Sequence, residues 1–271
     1  GETDAKLLLM PAWTTGDMIG VKIAIVVPGN SDRGLPAVNA TVLLMDGKTG
    51  QTLALVDGGE VTARRTAASS ALAADYLARP DSSHLFVMGT GRLGGSDLIE
   101  AHAAVRPIRK LTVWGRSPEK AAAVAEKWRG KGLDAAATED VASAAGEADI
   151  VSTATLAPDP ILNGEWLRPG THVDLVGNFA PTARESDDEV MRRGTVFVDT
   201  RAALKTGGDL VIALANGALH ESDIAADLFE LTRGAHPGRT DPDEITVFKS
   251  VGAAIEDFAA ARLVYVSGRK G

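Results

Sequence analysis

Cysteine is absent from this chain of 271 residues. Its absence excludes disulfide bonds, thiolate zinc sites and thiol-based catalysis together. Long apolar runs are also missing, since none reaches the roughly 18 residues that a membrane-spanning helix needs. Residues 1–4 show neither the positive charge nor the following apolar stretch of a signal peptide. We therefore predict a cytoplasmic protein without a membrane partner.

Positive charge is scarce as well. Asp and Glu outnumber Lys and Arg by 36 to 28, which gives a formal net charge of −8. A chain of this charge repels phosphate-rich surfaces, so we predict no nucleic-acid partner. The five histidines, at positions 84, 102, 172, 220 and 236, are too scattered to form a ligand cluster. We therefore predict no metal site.

The most informative stretch begins with a short apolar run at residues 85–88 and continues into glycines spaced G-x-G-x-x-G. In such a motif Gly89 allows a tight turn, Gly91 lets the backbone approach a pyrophosphate, and Gly94 lets the helix pack on the strand. The phosphates bind at the N-terminus of that helix. A glycine-rich loop without a ligand is the alternative. The flanking strand and helix, and a second strand at 111–114, favour a dinucleotide site.

The end of the second strand indicates which dinucleotide binds. An NAD site usually places Asp or Glu there, to accept from the ribose 2′-hydroxyl. This chain has Gly115 instead, followed by Arg116, Ser117 and Lys120. A guanidinium pairs well with a 2′-phosphate. We predict NADP(H) as the preferred cofactor and NAD(H) as the alternative. Solvated Arg and Lys side chains at a helix start are the competing interpretation.

Strands and helices alternate from residue 85 to about residue 200, which is typical of a doubly wound sheet. We predict strands at 85–88, 110–114, 133–137, 149–153, 172–176 and 195–199, and helices at 96–106, 118–130, 139–146 and 182–193. The segment 149–155 ends in hydroxyl groups at the carboxyl edge of the sheet, where ligands bind. Thr153 and Thr155 either contact the nicotinamide half of the cofactor or cap the next segment, and both readings stay open.

Residues 7–57 have strand-like runs separated by turn signals, and an isolated hairpin of this kind needs more chain or a partner. We expect an N-terminal part of the chain to be missing. An alanine-rich helix follows at 62–78, with Arg64 and Arg65 in its first turn. A cation there opposes the helix dipole, which favours an anionic ligand over a surface role. The last segment starts like a strand, continues as a helix and is expected to pack on the first block.

The predicted fold is therefore α/β: a Rossmann-type doubly wound parallel sheet over residues 79–245, plus a discontinuous β-rich domain from residues 1–78 and 246–271. Several segments resemble the ornithine cyclodeaminase/mu-crystallin family, and within it the bacterial Δ1-pyrroline-2-carboxylate reductases. These segments are GVK (20–22), DGGEVTARRTAASSALAA (57–74), GTGRL (89–93), VWGRSPEKA (113–121), STAT (152–155), VGNFAPTARESDDE (176–189) and VFKSVGAAIEDFAAA (247–261). The resemblance implies that the discontinuous domain binds substrate and forms a homodimer through its sheet.

The resemblance also assigns roles to residues. It implies that Lys22 and Arg65 are catalytic and bind the substrate carboxylate, and that Val251 contacts the substrate. It places Arg92 and Leu93 against the cofactor phosphates and Arg116 and Ser117 at the ribose. Further cofactor contacts are implied for Thr155, for the strand 173–176 that ends in Val176, and for Ser250.

Three departures from the family pattern stand out. The cyclodeaminases have an aspartate in a G-x-D-x-P segment, where this chain has Phe179. A further substrate-binding arginine on an N-terminal strand has no counterpart. The Gly94-Gly95-Ser96 segment looks like an insertion, and because glycine disfavours helix, we expect the helix to start late, with Ser96 or Asp97 as N-cap.

We therefore expect NAD(P)H-dependent reduction of a cyclic ketimine carboxylate, Δ1-pyrroline-2-carboxylate or its six-membered analogue, to L-proline or L-pipecolate. Arg65 would pair with the carboxylate, and Lys22 would pair with it or relay the proton. Ornithine cyclodeamination is an alternative that Phe179 disfavours. A non-catalytic, NADPH-dependent protein that binds a small ligand, as in mu-crystallin, is the other alternative.

Overall fold

A computed structural model of the chain describes residues 5–36 and 38–268. The chain forms two compact units, Gly1–Thr66 with Gly252–Gly271, and Ala67–Val251. The predicted division, after residue 78 and before residue 246, falls at different positions: the first boundary lies within the long helix Gly58–Leu77, and the strand Ile245–Lys249 belongs to the second unit. The ends of the predicted β-rich domain, residues 1–4 and 269–271, lie outside the described residues, as does the segment considered for a signal peptide.

The first unit contains a four-stranded antiparallel sheet in the order β1-β2-β3-β4. Its strands are β1 Lys6–Thr14, β2 Met18–Val26, β3 Val38–Asp46 and β4 Thr52–Asp57, with a 3₁₀ turn at Pro28–Arg33. Helix α9, Ala254–Gly268, packs on one face of this sheet. A Cβ at Gly20 of β2 would lie 2.7 Å from Cδ2 of Phe258. Glycine therefore lets α9 lie close to the sheet.

The other face of this sheet carries exposed apolar side chains. Side chains alternate along a strand, so the neighbours of buried Lys22 and Ala24 point away from α9. On β1 the side chains of Leu7, Leu9 and Trp13 are 61, 61 and 63% exposed. Leu7 and Leu9 pair with Ile25 and Ile23 of β2, which are 45 and 40% exposed. A patch of this kind is typical of an interaction surface.

The second unit contains an eight-stranded parallel sheet in the order β11-β10-β12-β9-β8-β5-β6-β7. Its strands are β5 His84–Met88, β6 Lys110–Trp114, β7 Asp134–Ala137, β8 Ile150–Thr153, β9 His172–Leu175, β10 Gly194–Val198, β11 Ile224–Asp227 and β12 Ile245–Lys249. The order reverses at β5, which lies between β8 and β6. This reversal is the switch point at which doubly wound sheets bind ligands.

Helix α1, Gly58–Leu77, leads into this unit, and the later helices connect its strands. They are α2 Leu98–Val105, α3 Pro118–Arg129, α4 Val141–Glu147, α5 Asp188–Arg193, α6 Ala203–Thr206, α7 Gly208–Ala215 and α8 Leu228–Thr232, with 3₁₀ turns at Gly164–Trp166 and Glu221–Asp223. The predicted Rossmann-type fold and the β-rich sheet are confirmed. Within the described ranges, no helix combines the length and apolar character needed to cross a bilayer.

Two predicted elements need correction, and four further elements were missed. The strand-like start of the last segment is β12, and it pairs with β9 and β10 of the parallel sheet rather than with the first block. The helix predicted at 182–193 begins only at Asp188, because the backbone N–H groups of Glu185 and Ser186 donate to the Asp209 carboxylate instead. Strand β11 and helices α6, α7 and α8 were not predicted.

The helix after the glycine-rich loop also differs from the expectation of a late start. Residues Leu93–Asp97 form a π turn that runs directly into α2. Asp97 has helical backbone angles and makes no side-chain cap. A π turn accommodates an extra residue within a helix. The carbonyl of Gly95 accepts a hydrogen bond from the Trp128 indole at 3.0 Å, which holds this turn against α3.

Candidate active site

Four charged side chains meet inside the first unit. Lys22 lies on β2, Arg65 in α1, and Glu256 and Asp257 in the first turn of α9. Lys22 Nζ is 2.7 Å from Asp257 Oδ2, and Arg65 Nε donates to Asp257 Oδ1 at 3.0 Å. Arg65 Nη1 also donates to Glu256 Oε2 at 2.8 Å. Asp257 is therefore shared between both predicted catalytic residues.

Burial makes this cluster unusual. Lys22, Arg65 and Asp257 are 4, 9 and 1% exposed. Burial lowers the pKa of Lys22, and the charge of Arg65 lowers it further, whereas the hydrogen bond and charge of Asp257 raise it in part. The net effect is a lowered pKa, which makes the Lys22 ammonium a better proton donor than a solvated lysine.

Gly252 gives the Arg65 guanidinium its space. Its φ of +86° belongs to the region that side chains disfavour. A Cβ at this position would lie 2.2 Å from Arg65 Nη1. The sequence GAAIED that follows β12 therefore serves two purposes, since it frees room for the guanidinium and supplies both carboxylates that pair with it.

The predicted position of Arg64 and Arg65 in the first turn of their helix was wrong. Helix α1 begins at Gly58, so Arg64 and Arg65 lie beyond its first turn. Arg64 pairs with Glu60 on the surface, and Arg65 pairs with two carboxylates of α9. Sequence reasoning also missed Glu256 and Asp257. In a sequence, two acids at the start of an apolar helix are ordinary helix-start residues, so nothing local marks them as buried.

The predicted cofactor residues lie in the second unit, at the carboxyl edge of the parallel sheet. The strands β12, β9, β8, β5 and β6 are consecutive neighbours, so the loops after them form a continuous row. Gly89 follows β5 with a φ of +138°, and a Cβ there would lie 2.6 Å from the Ala154 carbonyl oxygen of the β8 loop. A Cβ at Gly94 would lie 2.6 Å from the Gly89 oxygen. These glycines permit the tight turn that the motif predicts.

The loop after β6 contains the predicted ribose residues. Arg116 and Lys120 are exposed. The Ser117 hydroxyl accepts from Lys120 N at 3.3 Å and caps α3. It also donates to Glu119 Oε2 at 2.7 Å, and this bond lowers the Glu119 pKa. Sequence reasoning missed Glu119, an acidic group beside the position expected for a 2′-phosphate.

Thr153, Thr155 and Val176 lie at the ends of β8 and β9. The Thr153 hydroxyl is buried and has no hydrogen-bond partner within the described part of the chain. Thr155 donates to Glu185 Oε1 at 2.7 Å and accepts from Ala157 N at 3.2 Å. Val176 is buried against Ala67 and Leu98. Sequence reasoning missed Glu185, which lies in a segment predicted to be helical.

The remaining predicted contacts follow β12. Ser250 Oγ donates to Asp199 Oδ2 at 3.1 Å, and Val251 N donates to the same oxygen at 2.7 Å. Asp199 therefore holds this loop. Arg92 and Leu93 open the π turn, where Arg92 Nε donates to Asp97 at 3.2 Å. Among the residues described, no three His, Asp or Glu side chains converge on a possible metal position.

Comparison with known proteins identifies the family. The sequence profile of the ornithine cyclodeaminase/mu-crystallin family matches residues 1–271. The chain belongs to this family. It is 42% identical over 266 residues to the Δ1-pyrroline-2-carboxylate reductase of Paracoccus denitrificans. That alignment covers 97% of this chain and 84% of the relative.

Two solved structures are similar throughout. Thermococcus litoralis Δ1-pyrroline-2-carboxylate reductase, in complex with NADH and L-proline, has a TM-score of 0.89 at 35% identity, covering 98% of this chain and 88% of that chain. An archaeal alanine dehydrogenase dimer with bound NAD has a TM-score of 0.93 at 32% identity, covering 98% and 82%. This member of the ornithine cyclodeaminase/mu-crystallin family carries Phe179 in the loop after β9, where its side chain is 47% exposed.

Proposed function

We propose that this chain is an NAD(P)H-dependent reductase of a cyclic imine that carries a carboxylate on the C=N carbon, with Δ1-pyrroline-2-carboxylate and its six-membered analogue as candidate substrates. The observation that carries the proposal is the buried cluster of Lys22, Arg65 and Asp257, joined in one chain to a glycine-rich dinucleotide loop. Similarity to Δ1-pyrroline-2-carboxylate reductases supports it.

Arg65 is proposed to bind the substrate carboxylate. Its guanidinium presents donors in a planar fork that suits a carboxylate. Asp257 and Glu256 hold that fork through Nε and Nη1. Both carboxylates therefore fix the orientation of Arg65 before substrate arrives, and less side-chain entropy is lost on binding.

Lys22 is proposed to supply the proton. Reduction of an imine needs one proton on nitrogen and one hydride on carbon, and it yields the amine. The lowered pKa of Lys22 favours proton release, and Asp257 stays beside the lysine to hold it in place. Val251, in the loop held by Asp199, is the proposed further contact to the substrate.

The dinucleotide loop fits a nicotinamide cofactor. Gly91 is exposed, and apart from Gly91 itself and its two chain neighbours, no atom of the described residues lies within 4 Å of the position that its Cβ would take. The bare backbone therefore leaves room for a pyrophosphate at the start of the π turn, where the helix dipole favours anions. The bound cofactor supplies the hydride. Gly89, Gly91, Arg92 and Leu93 would hold its phosphates.

NADP(H) is the proposed preferred form. Arg116 supports this preference because it is exposed at the end of β6. Glu119 opposes this preference for NADP(H), since its carboxylate accepts the hydrogen bond that the Ser117 hydroxyl would otherwise donate to a phosphate. Arg116→Ala should weaken NADPH more than NADH, whereas Glu119→Gln should strengthen NADPH more than NADH. Dissociation constants of both cofactors for both variants measure this. Equal changes for the two cofactors would contradict the assignment.

Oxidation of NADPH and NADH by the purified chain tests the reaction itself. The substrates are Δ1-pyrroline-2-carboxylate, its six-membered analogue, and pyruvate with ammonium as a source of a linear imine. We expect turnover of a cyclic imine, with proline or pipecolate as product. Turnover of pyruvate with ammonium alone would replace the proposal by amino-acid dehydrogenation. Cofactor binding without any turnover would support the non-catalytic alternative.

The exposed face of the four-stranded sheet is proposed to bind a second copy of the chain. It presents Leu7, Leu9, Trp13, Ile23 and Ile25 together, and a structural neighbour is described as a dimer. Leu9→Lys with Trp13→Lys should give a monomer in sedimentation, whereas Phe229→Lys, at an exposed apolar residue of the second unit, should not. If the double variant is still a dimer, this face is not the dimer interface. A cytoplasmic location stays a prediction, which cell fractionation tests.

A further inference from the structure

Glu185 is a fully buried carboxylate that holds two loops at the carboxyl edge of the parallel sheet. Its Oε1 accepts from the backbone N and the hydroxyl of Thr155, both at 2.7 Å. Its Oε2 accepts from Gly177 N at 2.8 Å and from Asn178 N at 3.2 Å. One oxygen therefore serves the loop after β8, and the other serves the loop after β9.

The two loops touch at Gly177. A Cβ at this position would lie 2.1 Å from the backbone N and 2.2 Å from the backbone O of Thr155. Only glycine allows this approach. The N–H groups of both loops then point to the same buried space, where an unpaired donor costs free energy, and the Glu185 carboxylate accepts them.

The carboxylate is itself held from behind. Asp209 Oδ1 accepts from Glu185 N, Ser186 N and the Ser186 hydroxyl, each at 2.9 Å. The other oxygen of Asp209 lies 2.9 Å from Lys249 Nζ, which donates to the Asn178 carbonyl at 2.6 Å. The chain of contacts thus returns to the β9 loop, and both polar groups of the Asn178 backbone are fixed.

Burial and the neighbouring groups act on the ionisation of Glu185 in opposite directions. Burial raises the pKa of Glu185, and the charge of Asp209 raises it too, while Lys249 and the Thr155 hydrogen bonds lower it. The net effect is a raised pKa. Three of the four partners are backbone N–H groups, which can only donate, whereas the Thr155 hydroxyl can donate or accept, so all four donate together only to the carboxylate form.

The position of these loops indicates which part of a dinucleotide they serve. The pyrophosphate binds at the start of the helix after β5, and the adenosine half extends over β6. The other half then extends over the strands on the opposite side of β5, which are β8 and β9. We propose that Glu185 is a positioning residue for the nicotinamide half of the cofactor, acting through the Thr155 and Gly177–Asn178 loops. This inference rests on the proposed dinucleotide chemistry.

Glu185→Gln tests the role, because it keeps the shape but turns one oxygen into a donor that faces other donors. We expect the dissociation constant of NADPH or NADH, whichever binds tighter to the wild type, to rise on the order of tenfold or more, from loss of a buried acceptor. Adenosine 2′,5′-bisphosphate and ADP, which lack the nicotinamide half, should bind as tightly as to the wild type. Turnover number with the imine substrate should fall as well.

Asp149→Asn is the matched control. Asp149 is also buried, and it accepts backbone hydrogen bonds from Ser83 at 2.8 Å and His84 at 2.9 Å. It lies at the amino edge of the same sheet, where β8 and β5 begin. Its loss should lower the melting temperature and leave the ratio of dinucleotide to adenosine-fragment affinity unchanged.

Equal weakening of dinucleotide and fragment by Glu185→Gln would reduce Glu185 to a structural residue, and no weakening of either would overturn the role. A wild-type chain that binds no dinucleotide would instead refute the proposed function, and the role of Glu185 with it. If Glu185→Gln does not fold, amide hydrogen exchange of the wild type tests whether Glu185 holds the two loops. Gly177 and Asn178 N–H should be protected in the cofactor-free protein, and fast exchange there would refute the inference.

Discussion

Replacing Asp257 by asparagine removes a buried charge that contacts both Lys22 and Arg65. At 2.7 Å, the attraction between Asp257 and Lys22 amounts to about 6 kcal/mol at an effective dielectric constant of about 20. Desolvation of the buried ions offsets part of it. Breaking a buried pair by removing one partner usually costs about 3–5 kcal/mol, which is our expectation for the loss in free energy of unfolding. The measurement is urea unfolding of both proteins.

Asp17→Asn is the control for this variant. Asp17 pairs with Arg262 at 3.0 Å in the same unit, but the two side chains are 44 and 47% exposed. An exposed pair of this geometry contributes about 0–1 kcal/mol. The two variants therefore differ mainly in burial. A loss for Asp257→Asn no larger than that for Asp17→Asn would refute the energetic reasoning.

The same variant tests the role of Lys22. The hydrogen bond and charge of Asp257 raise the Lys22 pKa against the larger lowering by burial and Arg65. Without Asp257 this pKa falls further. If Lys22 must be protonated to act, activity is lost as pH rises through its pKa. The alkaline limb of kcat/KM should therefore move to lower pH in Asp257→Asn. An unmoved limb would mean that Lys22 is not the proton donor.

Three further predictions concern other positions. Arg65→Lys keeps the charge but loses the fork between Glu256 and Asp257. The loss of transition-state binding, measured as kcat/KM for the imine, should be about 2–5 kcal/mol while cofactor affinity stays unchanged, and an unchanged kcat/KM would contradict this. The chain should not release ammonia from L-ornithine with NAD(P)+ at a rate comparable with imine reduction, because Phe179 transfers no proton. Ammonia release by the wild type at a comparable rate would refute this, and ammonia release by Phe179→Asp would confirm the position. Burial lowers the pKa of His172 to about 3, so as pH decreases from 6.5 to about 3 the unfolded chain binds a proton that the folded chain does not bind. The free energy of unfolding should therefore decrease by up to about 1.4 kcal/mol for each unit of decreasing pH. Urea unfolding across that range should show a shallower pH dependence for His172→Gln, and an equal dependence would contradict the prediction.

The parallel sheet was predictable from sequence because its signals are local. A buried parallel strand is a short apolar run bounded by turn residues, and six such runs appear in the printed sequence. The glycine spacing after β5 is local too, and its geometry follows from backbone sterics. Strand β12 was assigned to the wrong sheet, since an apolar run indicates a strand but does not indicate its neighbour. The π turn was missed for a similar reason: glycine propensity disfavours helix at Gly94–Gly95, but the indole of Trp128 holds the turn from another helix.

The residues that organise both sites were invisible in the sequence for one physical reason. Asp257 lies 192 positions from Arg65, and Glu185 lies 30 positions from Thr155. An acidic side chain in an isolated segment is most simply a surface or helix-start residue, and nothing local marks it as buried. The partners of Asp257 are buried cations, and those of Glu185 are mainly backbone N–H groups. Only the completed fold brings these partners near. A buried carboxylate needs such partners, because it is unstable without them. Searching a folded chain for acids that are both buried and paired therefore finds groups such as Asp257 and Glu185, which a motif search cannot find, together with structural acids such as Asp149.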